Sequence, residues 1–457
     1  RMWGIQGFDS VKMVKDVTKY SNRLTKPENI LQELDFCFHE TLNNRPGPVW
    51  LDIPIDIQGT KIKYKRLKRY KPKIKKIKPN DKLLLKIQKL IDESKRPVFW
   101  LGNGIKISNS NSYIKSLLKK YKFPFFLSWA ALDLMPSNHN LNFGRPGVYG
   151  NRASNIILQN SDLIISIGAR LSIPMMGYVE NEFARKAKII YVDIDKSEYK
   201  KFKNKKKFLF CNSDAREFID SLLKLSKSDK PFSKNNWLKY CNKVLNNFPH
   251  LESGTHDDKN GYINSYNFMN KFSNYLKEDS CIVTDMGTAL LSGHQKINLI
   301  KNQSMMTSTG LGEMGYGLPG AIGACFGKKR NEIICLNCDG GIMMNLQELQ
   351  TVDEYKLPIK IFIFNNDGYL MIKHTQKNLF KGKYVAVNKE TNISCPDLKK
   401  LSSAFNMKYY SIKKWSDFDI NMKKIMKNKG ALICEIFMDP EQYFHPKLGT
   451  SLDKNGK

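Results

Sequence analysis

Residues 332–341 read EIICLNCDGG, and residues 359–369 read IKIFIFNNDGY. Each is an apolar run of strand length that ends abruptly in polar residues and glycine. That is the pattern of a strand buried on both faces that delivers a loop. Asp339 and Asn366 stand 27 positions apart. One helix, predicted at 345–354, and one strand fill the interval, so both loops end adjacent parallel strands on the same sheet edge. In open parallel sheets, ligands gather outside the carboxyl ends of strands. A carboxylate, a side-chain amide and nearby main-chain oxygens form a hard-oxygen site suited to Mg²⁺, which shares phosphate oxygens. Glycine lets the backbone approach a phosphate, and the N–H groups of a following helix favour an anion. The plain alternative is two ordinary strand-end turns.

Outward from this stretch, strands are predicted at 280–284, 332–336, 359–364 and 431–437, with a further helix at 317–325. Residues 261–457 therefore form one parallel α/β block. Residues 81–230 form another, with an amphipathic helix at 81–94 and strands at 96–100, 162–167 and 187–194. Residues 1–58 read as the tail of a further α/β domain: a helix at 27–42, a turn at 43–48 and a strand at 49–57. A basic linker at 59–80 separates the first two blocks, and the polar stretch 231–260 contains a second linker. The fold class is α/β, with consecutive parallel-sheet domains and a Rossmann-like central one. No repeat of 20–50 residues is present.

The chain of 457 residues carries 75 Lys and Arg against 43 Asp and Glu, a formal charge of +32. Only 12 of the basic residues are Arg. Lysine spread this evenly reads as a solvated surface, because nucleic-acid readers lean on Arg and cluster their charge. No nucleic-acid partner is expected, and the dense run at 61–78 reads as linker. No segment approaches the roughly 20 apolar residues that span a bilayer, and no signal peptide is visible near the start. Nine scattered cysteines fit a reducing cytoplasm. Cys335 and Cys338 form a CxxC without a second pair, read as the end of a strand. The first residue is Arg1, so the numbering is expected to begin inside a longer chain.

Asp-Gly followed about 25 residues later by Asn-Asn resembles the thiamine diphosphate fingerprint of pyruvate-utilising decarboxylases and synthases. The resemblance implies three Mg²⁺ ligands: Asp339, the Asn366 side chain and the main-chain oxygen of Gly368. The family usually has Gly where Cys338 stands. Residues 309–319, TGLGEMGYGLP, closely resemble a loop of acetolactate synthases. Met314 then matches the apolar wedge that bends the cofactor, with Met344 and Met371 as further apolar contacts; core filling is the alternative for these methionines. Residues 285–288, DMGT, resemble the diphosphate-side loop, with Gly287 and Thr288 at the phosphates. Gly312, Gly340, Gly341, Tyr369 and Leu370 complete the implied cofactor set. His294 is expected on a helix surface.

Residues 44–58 resemble the end of the family's pyrimidine-binding domain. Gly102, Gly104, Gly168, Ala169, Arg170 and Asp193 match its central domain, which binds FAD in acetolactate synthases. Residues 171–174, LSIP, depart from the acidic, Arg-containing stretch of FAD-binding forms, so FAD stays open. The implied activity is thiamine-diphosphate-dependent decarboxylation of a pyruvate-like 2-oxo acid with carboligation to a second carbonyl compound, as in branched-chain amino acid biosynthesis. Alternatives are decarboxylation of a 2-oxo acid or acyl-CoA without carboligation, a synthase acting on a keto-sugar, and an inactive scaffold. Thr375 stands where acetolactate synthases have Trp, which implies a more open, polar acceptor site. The activating Glu is expected upstream of Arg1; no other catalytic residue is identified, and the residues as given are expected to catalyse little. A homodimer or homotetramer is expected, because family active sites form between subunits.

Overall fold

The computed structural model describes residues 5, 7–72, 76–225 and 234–449. The first block carries two parallel strands, β1 (Tyr20–Arg23) and β2 (Val49–Asp52), beside the helix Ile30–Leu42. β2 is shorter than the predicted 49–57 strand. Pro54 caps a single helical turn, Ile55–Gln58, because proline fixes φ and lacks the N–H a ladder needs.

The central block holds β3 (Pro97–Leu101), β4 (Phe125–Leu127), β5 (Leu163–Ile167), β6 (Lys188–Asp193) and β7 (Phe208–Asn212), in the order β4-β3-β5-β6-β7. Every pairing is parallel. β3 and β5 are buried along their whole length. Phe99 and Leu101 feed one apolar cluster, while Val98 and Trp100 feed the opposite one. The helix Asp81–Glu93 starts where the Asn80 side chain accepts the Leu83 N–H at 2.8 Å, and it buries Leu84, Ile87 and Ile91.

Residues 231–260 are not a linker throughout. Asn235–Asn247 is a helix that buries Trp237, Cys241 and Val244 against the central sheet's second cluster. Their i, i+4, i+7 spacing is the apolar stripe that its many Asn and Lys obscure.

The last block holds β8 (Cys281–Thr284), β9 (Ser304–Thr307), β10 (Ile333–Cys338), β11 (Ile359–Asn365), β12 (Lys408–Ile412) and β13 (Leu432–Phe437), in the order β12-β13-β11-β10-β8-β9, all parallel. β10 and β11 are neighbours, paired from Ile333↔Ile359 to Cys338↔Phe364. The loops after them therefore share one edge, as the 27-residue spacing requires. Alternating parallel strands and helices make the chain α/β. Among the described residues, no helix is long and apolar enough to cross a membrane.

Candidate functional site

Asp339 follows β10 and is fully buried. Its Oδ1 accepts the Gly340 N–H at 2.8 Å; its Oδ2 accepts those of Asn366 at 3.0 Å and Gly368 at 2.9 Å. One carboxylate thus pins the two strand-end loops together. Burial pushes its pKa up to about 6, against the opposing pull of those N–H groups. Asn366 is buried, and its Nδ2 donates to the Thr288 hydroxyl at 3.3 Å. Its Oδ1 is buried without a protein hydrogen-bond partner. A buried amide oxygen left without a partner is costly. An orphaned acceptor beside a buried carboxylate is a donor set that suits a hard cation, so the residues present fit Mg²⁺.

The turn after β11 is strained. Asp367 has φ +61 and Gly368 φ +124. A Cβ on Gly368 would lie 2.1 Å from the Val387 carbonyl oxygen. Gly340 and Gly341 open a single turn, Asp339–Ile342. Their small size serves packing: a Cβ would meet the Tyr369 ring at 2.3 Å and Asn337 Oδ1 at 2.6 Å, respectively. Gly287, at φ +81, precedes the helix Thr288–Lys296.

Met314 and Met344 are exposed, whereas Met371 is half-buried and packs against the main apolar cluster. Gly287, Gly312 and Met371 line a cleft of about 1520 Å³ that continues into the central block. Leu370 is buried within the main apolar cluster. His294 departs from its predicted place on a helix surface. All nine residues of its helix are buried, so it has no surface face. Its Nδ1 pairs with the Leu290 carbonyl at 2.9 Å, its ring lies 5.2 Å from Trp129, and burial drives its pKa down to about 3. Thr375 is exposed, with its hydroxyl turned back onto the Met371 carbonyl.

Sequence reasoning missed Asp285 as a site residue. It is fully buried, and both its oxygens accept the Gly315 N–H at 3.0 Å, which ties down the loop carrying Met314. The signal was an acidic residue at a strand end, two positions before a glycine.

Of the residues matched to a flavin site, Gly104, Gly168, Ala169, Arg170 and Asp193 line the same cleft. The glycines close on one another: a Cβ on Gly102 would lie 2.2 Å from Ala169 Cα, and one on Gly104 2.8 Å from Gly168 Cα. Asp193 already accepts from Arg45 at 2.9 Å, the Asp195 N–H at 3.0 Å and the Tyr191 hydroxyl at 3.2 Å. Arg170 donates to Glu198 at 3.1 Å. These polar atoms are paired within the protein. Cys335 and Cys338 point into opposite apolar clusters. Among the described residues, no group of His, Cys, Asp and Glu is arranged to hold a metal by itself, so the amide and main-chain oxygens are needed at Asp339.

Residues 84–222 match the central domain of thiamine pyrophosphate enzymes, and residues 285–436 match their C-terminal TPP binding domain. The chain is 28% identical to the acetolactate synthase isozyme 1 large subunit of Escherichia coli, over 97% of this chain and 76% of that protein. It is 30% identical to the probable acetolactate synthase large subunit of Methanocaldococcus jannaschii, over 96% of this chain and 74% of the relative. It is 31% identical to the acetolactate synthase large subunit of Corynebacterium glutamicum, over 80% of this chain and 58% of that one.

Proposed function

Because the chain belongs to the thiamine pyrophosphate enzyme family that includes the acetolactate synthase large subunits, we propose that it decarboxylates a pyruvate-like 2-oxo acid. It then joins the retained fragment to a second carbonyl compound. The observation that carries this reading is the buried Asp339 carboxylate held beside the orphaned Asn366 Oδ1 at the ends of adjacent strands. Thiamine diphosphate, when bound, supplies an electron-accepting ring that makes loss of CO₂ feasible.

Asp339, Asn366 and the Gly368 carbonyl would hold Mg²⁺, which would neutralise the diphosphate. Gly287 and Thr288 lie on the diphosphate side. Met314, Met344 and Met371 would supply apolar contacts to the cofactor, and Asp285 holds the Met314 loop through Gly315. An acceptor larger than a 2-oxo acid, such as a keto-sugar, is the second reading; the exposed Thr375 favours it. A cytoplasmic homo-oligomer belongs to the same reading.

The test is to incubate the protein with pyruvate, thiamine diphosphate and Mg²⁺ and to measure acetolactate, with Asp339→Asn as control. Acetolactate that disappears in the variant supports the synthase reading. Cofactor binding that needs Asp339, without product, keeps the cofactor site and moves the search to other oxo acids and keto-sugars. Absence of both cofactor binding and product overturns the proposal.

A further inference from the structure

We propose that Glu435 is a positioning residue that sets the turn after β11 for cation binding, acting through Asn365. This rests on the thiamine diphosphate and Mg²⁺ reading of the site. Asn365 ends β11. Its Oδ1 accepts the Asp367 N–H at 3.1 Å, and its Nδ2 donates to Glu435 Oε1 at 2.5 Å. Glu435 lies on the adjacent strand β13 and is 6% exposed. Its other oxygen accepts from the Tyr409 hydroxyl on β12, the next strand out. Asn365 and Glu435 are 70 positions apart in the chain, so the link exists only in the folded sheet.

A carboxylate is costly to bury unless its oxygens are used. Here they are used by one amide and one hydroxyl, and neither partner is a cation. The work the charge does is orientational. A side-chain amide has a donor end and an acceptor end. With its NH₂ drawn to Glu435, the Asn365 carbonyl faces the Asp367 N–H. That hydrogen bond holds Asp367 in the left-handed region, where a residue with a Cβ is strained unless its surroundings over-determine it. Asp339 pins the same turn from the other side, through Asn366 and Gly368. Glu435 and Asp339 thus grip one turn from two strands, and the turn presents the proposed ligands Asn366 and Gly368. Partners one step removed from a metal's ligands fix ligand orientation, and their loss lowers metal affinity by about 10–100-fold.

The measurement is Mn²⁺ affinity by electron paramagnetic resonance in the presence of thiamine diphosphate, alongside metal-free thermal melts. Glu435→Leu and Asn365→Ala should each weaken Mn²⁺ binding about tenfold, and the double variant should be no weaker than either alone. Glu435→Gln, which keeps an acceptor for Asn365, should recover most of the affinity. Glu332→Gln is the comparator. Glu332 pairs with the buried Lys360 at the other end of the same sheet, so this variant should lower the melt and leave Mn²⁺ affinity unchanged. Should Glu435→Leu fail to fold, Asn365→Ala and Glu435→Gln decide the matter. Wild-type affinity in Asn365→Ala, additive losses in the double variant, or an equal loss in Glu332→Gln overturns the proposal. A wild-type protein that takes up no Mn²⁺ with thiamine diphosphate overturns the site reading itself, a separate outcome from failure of Glu435 alone.

Discussion

Asp339 and His294 are both fully buried, His294 on the helix Thr288–Lys296, and burial shifts them in opposite senses. Asp339 moves from 3.8 up to about 6, while His294 moves from 6.5 down to about 3. A raised carboxylate contributes stability that is full below the unfolded value and lost as pH rises through the folded one. A depressed histidine does the reverse: its contribution is full above 6.5 and lost as pH falls toward 3. Between pH 7 and 5, His294 therefore weakens the fold as protons bind the unfolded chain, by roughly 2 kcal/mol at pH 5. In urea titrations without metal, the His294→Gln variant should lose less stability than wild type over this interval. Parallel losses in the two proteins would mean that His294 is not held neutral.

At the scale of the element, the turn after β11 has no tolerance for a side chain at Gly368. Its φ is +124, and the Val387 carbonyl closes the space a Cβ would need. Gly368→Ala should destabilise the protein by about 3 kcal/mol or more and abolish cation binding, read by calorimetric titration with Mg²⁺ and thiamine diphosphate. Normal binding in a folded variant would mean that the turn is not the cation site. The same element shows what a sequence reading can reach. Asp339 and Asn366 were readable because a strand, a helix and a second strand between them force adjacency, and local patterns carry that information. Glu435 was not, since its pairing with Asn365 is made by sheet order. His294 was misplaced for a related reason. Periodicity separates an inner from an outer face, but the helix Thr288–Lys296 is buried all round, and its Ser292, Gln295 and Lys296 mimic a surface. The helix Asn235–Asn247 fails oppositely, its three apolar anchors diluted by Asn and Lys.

Across the whole molecule, the central and C-terminal blocks behave as one mechanical body. A single apolar cluster runs from Ile87 and Phe99 in one to Phe268 and Phe362 in the other. The buried Arg145, on the central block, donates to the His294 carbonyl at 2.6 Å and the Ile297 carbonyl at 2.8 Å. It thereby caps the helix that begins at Gly287, where a cation favours the carbonyl end. The Ser137 N–H donates to the Leu299 carbonyl, and the Leu448 N–H returns from the chain's far end to the Val148 carbonyl, each at 2.8 Å. Separate domains joined only by linkers unfold in separate steps. Contacts this buried make independent unfolding expensive, since either block alone would expose the shared cluster and leave the helix carbonyls without Arg145. Thermal unfolding of these two blocks should therefore give one transition, with near- and far-ultraviolet circular dichroism coincident. Arg145→Met removes the cap and should split or broaden that transition, with the C-terminal block melting first because its cofactor helix loses its anchor. Two resolved transitions in the wild-type protein would show that the blocks are independent, and that the cleft between them is free to change shape.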